Sequence, residues 1–281
     1  MEMSDASARL LAGLLETRTG QQLQVGRRWR LEMALQPFLK DRRLPDADAL
    51  VARIASGADP VLAGRVIDAL LNNETSFFRD AASFAQFADR GLARLARARG
   101  DSRTLRLWCA GCSTGQEAYT LAMLFADAAD RWRGWTIDIV ATDVSAAAID
   151  QARAGRYGHF EIQRGLPVRH MLRFFERTPD DHWQALPSLR AAVRFQTRSL
   201  LDPAPAPARY DAVLCRNVLF YFSPAMRGVV MGRLAAAMAP DGVLMLGAGE
   251  TVLGHSDAFV SDYECRGLYR PTVRVEPARV A

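Results

Sequence analysis

Nowhere in its 281 residues does this chain hold a run of about 18 uncharged apolar residues, the length a helix needs to cross a bilayer. Its first twenty residues, MEMSDASARLLAGLLETRTG, carry acids where a secretory leader needs a basic start, and their leucines recur at helical spacing. Without leader or span the chain is expected in the cytoplasm, with no membrane insertion. Cysteine is scarce. Cys109, Cys112, Cys215 and Cys265 are the only four, too few in so long a chain for a disulfide framework. Cys109 and Cys112 spell C-x-x-C, but zinc needs further ligands and the other two stand far off, so all four read as small buried apolar residues. His159, His170, His182 and His255 show no ligand spacing, and no metal is expected. Lysine is nearly absent: only Lys40 interrupts the arginines. There is no internal repeat, and the only biased stretch is a short rigid loop, DPAPAPA, at 202–208.

What is present is the composition of a folded protein, 49% apolar and 24% charged, long enough for two domains. The formal charge of +5 is concentrated in segment 27–43, where Arg27, Arg28, Arg30, Lys40, Arg42 and Arg43 face only Glu32 and Asp41. Such a cluster attracts nucleic acid, an anionic membrane or an acidic protein, and charge alone does not choose among them.

Residues 5–75 read as short helices. Leu10, Leu11, Leu14 and Leu15 form a stripe ending at Gly20, Asp46 or Asp48 caps a helix through Ile54, and Pro60 opens another reaching Leu71. Pro37 is expected to break or kink the basic helix. One helix is predicted from about residue 80 to Arg99. Strand-like runs at 105–109, 137–142, 211–215 and 243–246 then alternate with helical segments at 116–127, 144–154 and 223–238, the signature of a parallel sheet with helices on both faces.

In such a sheet the chemistry lies in loops after the strands. The first, Cys109 to Glu117, is a G-x-x-x-G turn from Gly111 to Gly115, with Ser113 where a nucleotide loop often has its middle glycine. Asp143 directly follows the next strand, where a carboxylate accepts both hydroxyls of a ribose or caps the following helix. The pair suits NAD(P) or S-adenosylmethionine. Glu117, in the first turn of the helix, would repel a pyrophosphate but attract a sulfonium, which favours the methyl donor.

Asn72-Asn73-Glu74-Thr75-Ser76-Phe77-Phe78-Arg79-Asp80 resembles the NET-x-FFR signature of CheR-type chemotaxis receptor methyltransferases. Three further blocks follow in the family's order: WCAGCSTGQEAYTLAM at 108–123, ATDVSAAAIDQAR at 141–153 and YDAVLCRNVLFYF at 210–222. The resemblance spans nearly the whole chain. It implies an N-terminal helical domain facing the receptor (1–75) and a Rossmann-like class I S-adenosylmethionine-dependent methyltransferase domain (76–281) with a small inserted antiparallel β subdomain at about 163–198. It implies methyl transfer to glutamates on the cytoplasmic helices of chemoreceptors, S-adenosylhomocysteine as product, docking through the basic segment, and a monomer. Carried over by motif position, Asn73, Thr75 and Arg79 line the cofactor cleft from the junction. Gly111 forms the turn, Glu117 faces the methionine end, Asp143 holds the ribose, Ser199 and Leu200 lie on the adenine side, and Arg216 and Asn217 follow the fourth core strand. Arg79 and Tyr221 are the candidates to position the acceptor carboxylate. Phe77, Phe78, Tyr221 and Phe222 also read as core aromatics, Arg79 as a partner for Asp80, and Arg216 as a buried structural ion pair.

The chain departs from the family at Ser199, usually asparagine, at Ala118, a frequent proline, and at Ala248-Gly249, usually His-Ser, before Glu250. Its basic helix is irregular, with Leu35, Pro37 and Phe38. Stretch 176–192, ERTPDDHWQALPSLRAA, has no glycine, so a peptide-gripping hairpin is not expected and the enzyme should not need a receptor C-terminal peptide. Two other readings stand beside this one: a regulator that binds S-adenosylmethionine or a nucleotide without transferring a methyl, and a nucleic-acid methyltransferase using the basic helix. Against the second, the place where DNA amino-methyltransferases carry (N/D)PP(Y/F) reads CRNVLFYF.

Overall fold

A computed structural model describes residues 3–23, 28–206, 209–265 and 267–272, with backbone alone at 28–30. Four helices come first. α1 (Asp5–Thr19) starts where the Ser4 hydroxyl accepts the Ser7 N–H and stops at Gly20, whose φ of 73° closes the helix. α2 (Arg28–Arg42) is followed by α3 (Ala47–Ala55), capped by Asp46 through the Ala49 N–H, and by α4 (Pro60–Leu70), capped by Asp59. Together they bury a core of their own around Leu11, Leu35, Leu50, Leu62 and Val66. The expected break at Pro37 does not occur: α2 runs through it. Leu31 and Leu35 before the proline and Phe38 and Leu39 after it are all buried. At roughly 1.5–3 kcal/mol for each such side chain, their burial offsets the ~3 kcal/mol that proline costs inside a helix.

The helix expected from about residue 80 to Arg99 runs without a break over 81–98 but holds a π turn within it. α5 (Ala81–Gln86) and α6 (Leu92–Ala98) are joined by a π turn over Phe87–Gly91, where Phe87 is fully buried and a Cβ on Gly91 would come within 2.8 Å of its ring. The chain then alternates: β1 (Thr104–Ala110), α7 (Gln116–Asp127), β2 (Thr136–Asp143), α8 (Ala146–Ala154), β3 (Arg156–Tyr157), α9 (His159–Gln163), α10 (Val168–Phe174), β4 (Phe175–Arg177), β5 (Trp183–Ala185) and α11 (Pro187–Ala191). β6 (Val193–Thr197), β7 (Tyr210–Cys215), a 3-10 turn (Leu219–Tyr221), α12 (Pro224–Ala237), β8 (Met238–Leu246), β9 (Phe259–Ser261) and β10 (Leu268–Pro271) complete it.

The large sheet has the order β6-β2-β1-β7-β8-β10-β9. Its first five strands are parallel, and β10 runs antiparallel to both neighbours. Residues of β1 alternate between two cores, Leu105, Leu107 and Cys109 in one and Trp108 and Ala110 in the other, so both faces are covered. The small sheet, β3-β5-β4, lies within 156–185 rather than at about 163–198. Val193–Thr197, expected in it, pairs with β2 as the edge of the large sheet. The apolar alternation of Val193 and Phe195 marks a strand but does not name its partner. Among the described residues no helix is long and apolar enough to cross a membrane.

Candidate functional site

From β1 the chain turns one way to β2 and β6 and then returns to place β7 on the other side, so the carboxyl ends of β1 and β7 flank a switch-point crevice. The turn after β1 is tied to the end of β2. The N–H groups of Gly111 and Cys112 both donate to the Thr142 carbonyl, at 2.8 and 2.9 Å. The Ser113 N–H donates to Asp143 Oδ2 at 2.7 Å, and Oδ1 accepts the Ser145 N–H at 2.9 Å. Asp143 is thus not the helix cap; Ser145 caps α8. Burial pushes the Asp143 carboxyl up, against the pull of those N–H groups. Gly115, at φ 92°, allows α7 to pass against α8, since a Cβ there would lie 2.8 Å from that of Ala152.

Glu117, in the first turn of α7, meets Arg216 Nη1 at 2.6 Å. The Arg216 side chain is fully enclosed: Nη2 reaches Asp80 at 2.7 Å and the Arg79 carbonyl at 3.0 Å, and the guanidinium lies 5.0 Å from the centre of the Phe84 ring. Burial pushes the Glu117 carboxyl up, opposed chiefly by Arg216. Asp80 therefore pairs with Arg216, not with Arg79, whose Nη1 donates to the Glu74 carbonyl at 3.2 Å. Phe78 and Asp80, on either side of Arg79, hold left-handed φ values of 47° and 58°. Phe77 anchors this bend in the core, edge-on to Tyr157 and Phe175. Ser113 Oγ donates to the Asn73 carbonyl at 2.7 Å, fastening the signature segment to the turn after β1.

One cleft brings together Asn73, Thr75, Arg79, Gly111, Glu117, Asp143, Arg216, Asn217 and Tyr221. An adjoining one is lined by Ser199 and Leu200 with Gly111, Asp143 and Val218. The Ser199 hydroxyl accepts the Leu201 N–H at 3.1 Å and so closes its own turn. The Tyr221 hydroxyl accepts a hydrogen bond from the Asn72 amide, and its carbonyl accepts the Gln22 N–H at 2.7 Å. Phe222 is buried, as a core aromatic should be. Three participants escaped the sequence reading. Gln21 lines both clefts and the neighbouring groove, and nothing in its surroundings announces it. Asp80 sits inside the signature but its partner lies 136 residues away. Glu250 was visible only as the residue after a departure. The four thiols are free and buried, and among the described residues no cluster of His, Cys, Asp or Glu suits a metal.

The donor set fits S-adenosylmethionine. Among the charged residues lining the cleft, Glu74, Glu117 and Asp143 outnumber Arg79 and Arg216, which suits a ligand with a positive sulfur. The buried Oδ1 of Asn217 has no hydrogen-bond partner among the described residues and remains available to a ligand donor. Counted along the large sheet, the strands run 3-2-1-4-5-7-6. The reversed seventh strand separates this sheet from the dinucleotide-binding order 3-2-1-4-5-6. Sheet and cleft define a Rossmann-like class I methyltransferase that uses S-adenosyl-L-methionine.

Residues 73–264 match the CheR methyltransferase, SAM binding domain. The chain is 32% identical over 259 residues to a chemotaxis protein methyltransferase of Vibrio parahaemolyticus, covering 92% of this chain and 93% of that protein. It is 32% identical to chemotaxis protein methyltransferase 1 of Pseudomonas aeruginosa (90% and 92% covered) and 29% identical to the chemotaxis protein methyltransferase of Escherichia coli K12 (89% and 86%). The chain belongs to the CheR methyltransferase family.

Proposed function

We propose that the protein forms glutamyl methyl esters on the cytoplasmic helices of chemoreceptors, acting as a cytoplasmic monomer. The observation that carries this reading is the joining, in one cleft, of an acidic cofactor side, Asp143 and the Glu117–Arg216 pair, to Arg79 and Tyr221. Bound S-adenosylmethionine supplies a methyl group on a positively charged sulfur. Asp143 would accept from the ribose hydroxyls with the lone pairs that Ser113 and Ser145 leave, Glu117 would attract the positive end, and Asn73, Thr75, Gly111, Arg216 and Asn217 would complete the walls. Leu200 gives an apolar adenine side; the Ser199 N–H is taken by Asp202, while the Ser199 hydroxyl, which accepts the Leu201 N–H, keeps its own proton for a polar contact.

A glutamate with pKa about 4.3 is already a carboxylate at neutral pH, so the acceptor needs no general base. What the site must supply is alignment and exclusion of water. The Asn72 amide occupies a lone pair of the Tyr221 hydroxyl, which leaves the phenol proton to donate to the acceptor carboxylate. Arg79 supplies charge nearby. One of its five N–H donors is committed to the Glu74 carbonyl; a bidentate clamp by the rest would blunt the nucleophile.

For docking, Arg27 lies outside the described residues, and Arg28 and Arg30 are described by backbone alone. On α2 the buried face is Leu31, Leu35, Phe38 and Leu39, while Lys40 is exposed, as is Arg43 just after the helix. Asp41 is exposed between them and Arg42 pairs with Asp59 at 3.3 Å, so Lys40 and Arg43 are the described charges of the segment left to meet acidic receptor helices. The β4–β5 connection is short: the Thr178 N–H donates to the His182 carbonyl at 2.8 Å, and Asp181, not a glycine, takes the positive φ. A hairpin so closed favours independence from a receptor C-terminal peptide. The test is labelled methyl transfer from S-adenosylmethionine to receptor-containing membranes. Base-labile carboxyl esters are expected; label only in nucleic acid, or S-adenosylmethionine binding without transfer, overturns the proposal.

A further inference from the structure

Glu250 lies just beyond β8, and its carboxylate accepts four backbone N–H groups. Oε2 takes those of Asn217 at 2.7 Å and Gly247 at 2.9 Å; Oε1 takes those of Val218 at 2.9 Å and Leu219 at 2.7 Å. An ionised carboxylate has about four acceptor sites, and here all are filled by main chain. The groups it gathers come from the loops after two neighbouring strands, β7 and β8. The β7 loop matters most: it contains Asn217, held at φ 58°, and continues directly into the 3-10 turn that carries Tyr221. Asn217 and Tyr221 both line the cleft. The approach of the two loops is close enough to exclude a side chain at Gly247, where a Cβ would lie 2.7 Å from Asn217 Nδ2 and 2.9 Å from its backbone nitrogen.

We propose that Glu250 is the positioning residue of this active site, a single anion that fixes the cofactor-side Asn217 and the acceptor-side Tyr221 relative to each other. The inference rests on the reading of the cleft given above. Left-handed backbone at Asn217 and a turn one residue later leave three successive N–H groups pointing the same way, with no strand or helix to accept them; only an acceptor with no hydrogens of its own satisfies them and the Gly247 N–H together. Glutamine would bring two further donors into that cluster. Aspartate keeps the acceptor sites on a shorter stem.

The test uses the full chain and three variants, Glu250→Gln, Glu250→Asp and Gly247→Ala, with S-adenosylhomocysteine affinity by calorimetry, kcat and KM on a receptor fragment, and thermal melting. In Glu250→Gln, product affinity is expected to fall about tenfold or more, as befits buried N–H groups left unpaired. Its kcat at saturating cofactor falls too, KM for the receptor stays within about twofold, and Glu250→Asp recovers part of both losses. Gly247→Ala, which leaves Glu250 intact but pushes on Asn217, is expected to reproduce the affinity loss. A Glu250→Gln protein that melts earlier but binds product and turns over like the wild type below its melting temperature overturns the proposal, because Glu250 would then only hold the fold. Should that variant not fold, Gly247→Ala with unchanged affinity and kcat overturns it equally. If the wild type fails to methylate receptors while Glu250→Gln still loses product affinity, the substrate reading fails and the positioning role stands.

Discussion

At the scale of single residues the site is a set of buried charges that satisfy one another before any ligand arrives. Arg216 is the clearest case: with no exposed side-chain surface, it spans Glu117 and Asp80, and losing Glu117, the more buried partner, would leave it only the half-exposed Asp80 as counter-charge. The same burial makes cofactor affinity depend on pH. On the proposed reading the ionised Glu117 attracts a sulfonium, and burial raises its carboxyl above the usual glutamate range. Affinity for S-adenosylmethionine is therefore expected to fall as pH drops through that raised value, earlier than an exposed glutamate would allow, and Glu117→Gln should flatten the profile. Calorimetry between about pH 8 and about pH 5 checks this. For folding the sign is opposite, since a raised carboxyl contributes stability below its unfolded pKa and loses it as pH rises through the folded one. Arg79 gives a second residue-scale test. Arg79→Lys keeps the charge but loses the planar fork, so it should retain more methyl transfer than Arg79→Ala, with both variants melting near the wild type. Full activity in Arg79→Ala would remove Arg79 from the site.

At the scale of elements, much was legible because periodicity and capping are local signals. The strands at 104–110, 136–143 and 210–215 and helix 116–127 lie within a residue or two of where apolar runs and glycines put them. What was hidden depended on distant partners. Pro37 is tolerated because the apolar residues of α2 before and after it join a core with α3 and α4. The π turn at 87–91 coincides with the buried Phe87 ring, which Gly91 lets approach closely, and the edge position of β6 depends on pairing with β2. The cleft was legible where the chain itself juxtaposes chemistry, as in the signature segment and at Gly111, Glu117 and Asp143. It was illegible where Asp80 meets Arg216 or where Glu250 gathers N–H groups from 217–219, because no sequence spacing encodes those meetings. Gly115 carries an element-scale prediction. A methyl there meets Ala152 at 2.8 Å and must also adopt a φ of 92°, so Gly115→Ala should cost roughly 1–3 kcal/mol of stability, read as a lower midpoint in denaturant titration with an unchanged slope.

At the scale of the whole molecule, the helical part and the sheet part share the site rather than merely adjoin. Gln22 donates to the Tyr221 carbonyl, Ser113 donates to Asn73, and the Ala147 N–H at the start of α8 donates to Asp68 at 3.0 Å. A receptor helix held on the basic face of α2 would thus bear on the same body that sets Tyr221. If docking rests on exposed charge, methylation of a receptor fragment should weaken with ionic strength and survive deletion of the receptor's last residues. Abolition by the deletion, with little response to salt, would place docking on the β4–β5 hairpin instead.

In the proposed function one cleft has a cofactor side and an acceptor side with separate duties. The most direct measurement is single-turnover methyl transfer at saturating cofactor in Tyr221→Phe, with S-adenosylhomocysteine affinity measured on the same preparation. The transfer rate is expected to fall by about tenfold or more, the scale of one lost hydrogen bond to a charged group, with product affinity within about twofold of the wild type. Unchanged transfer, or a loss confined to product affinity, would contradict it.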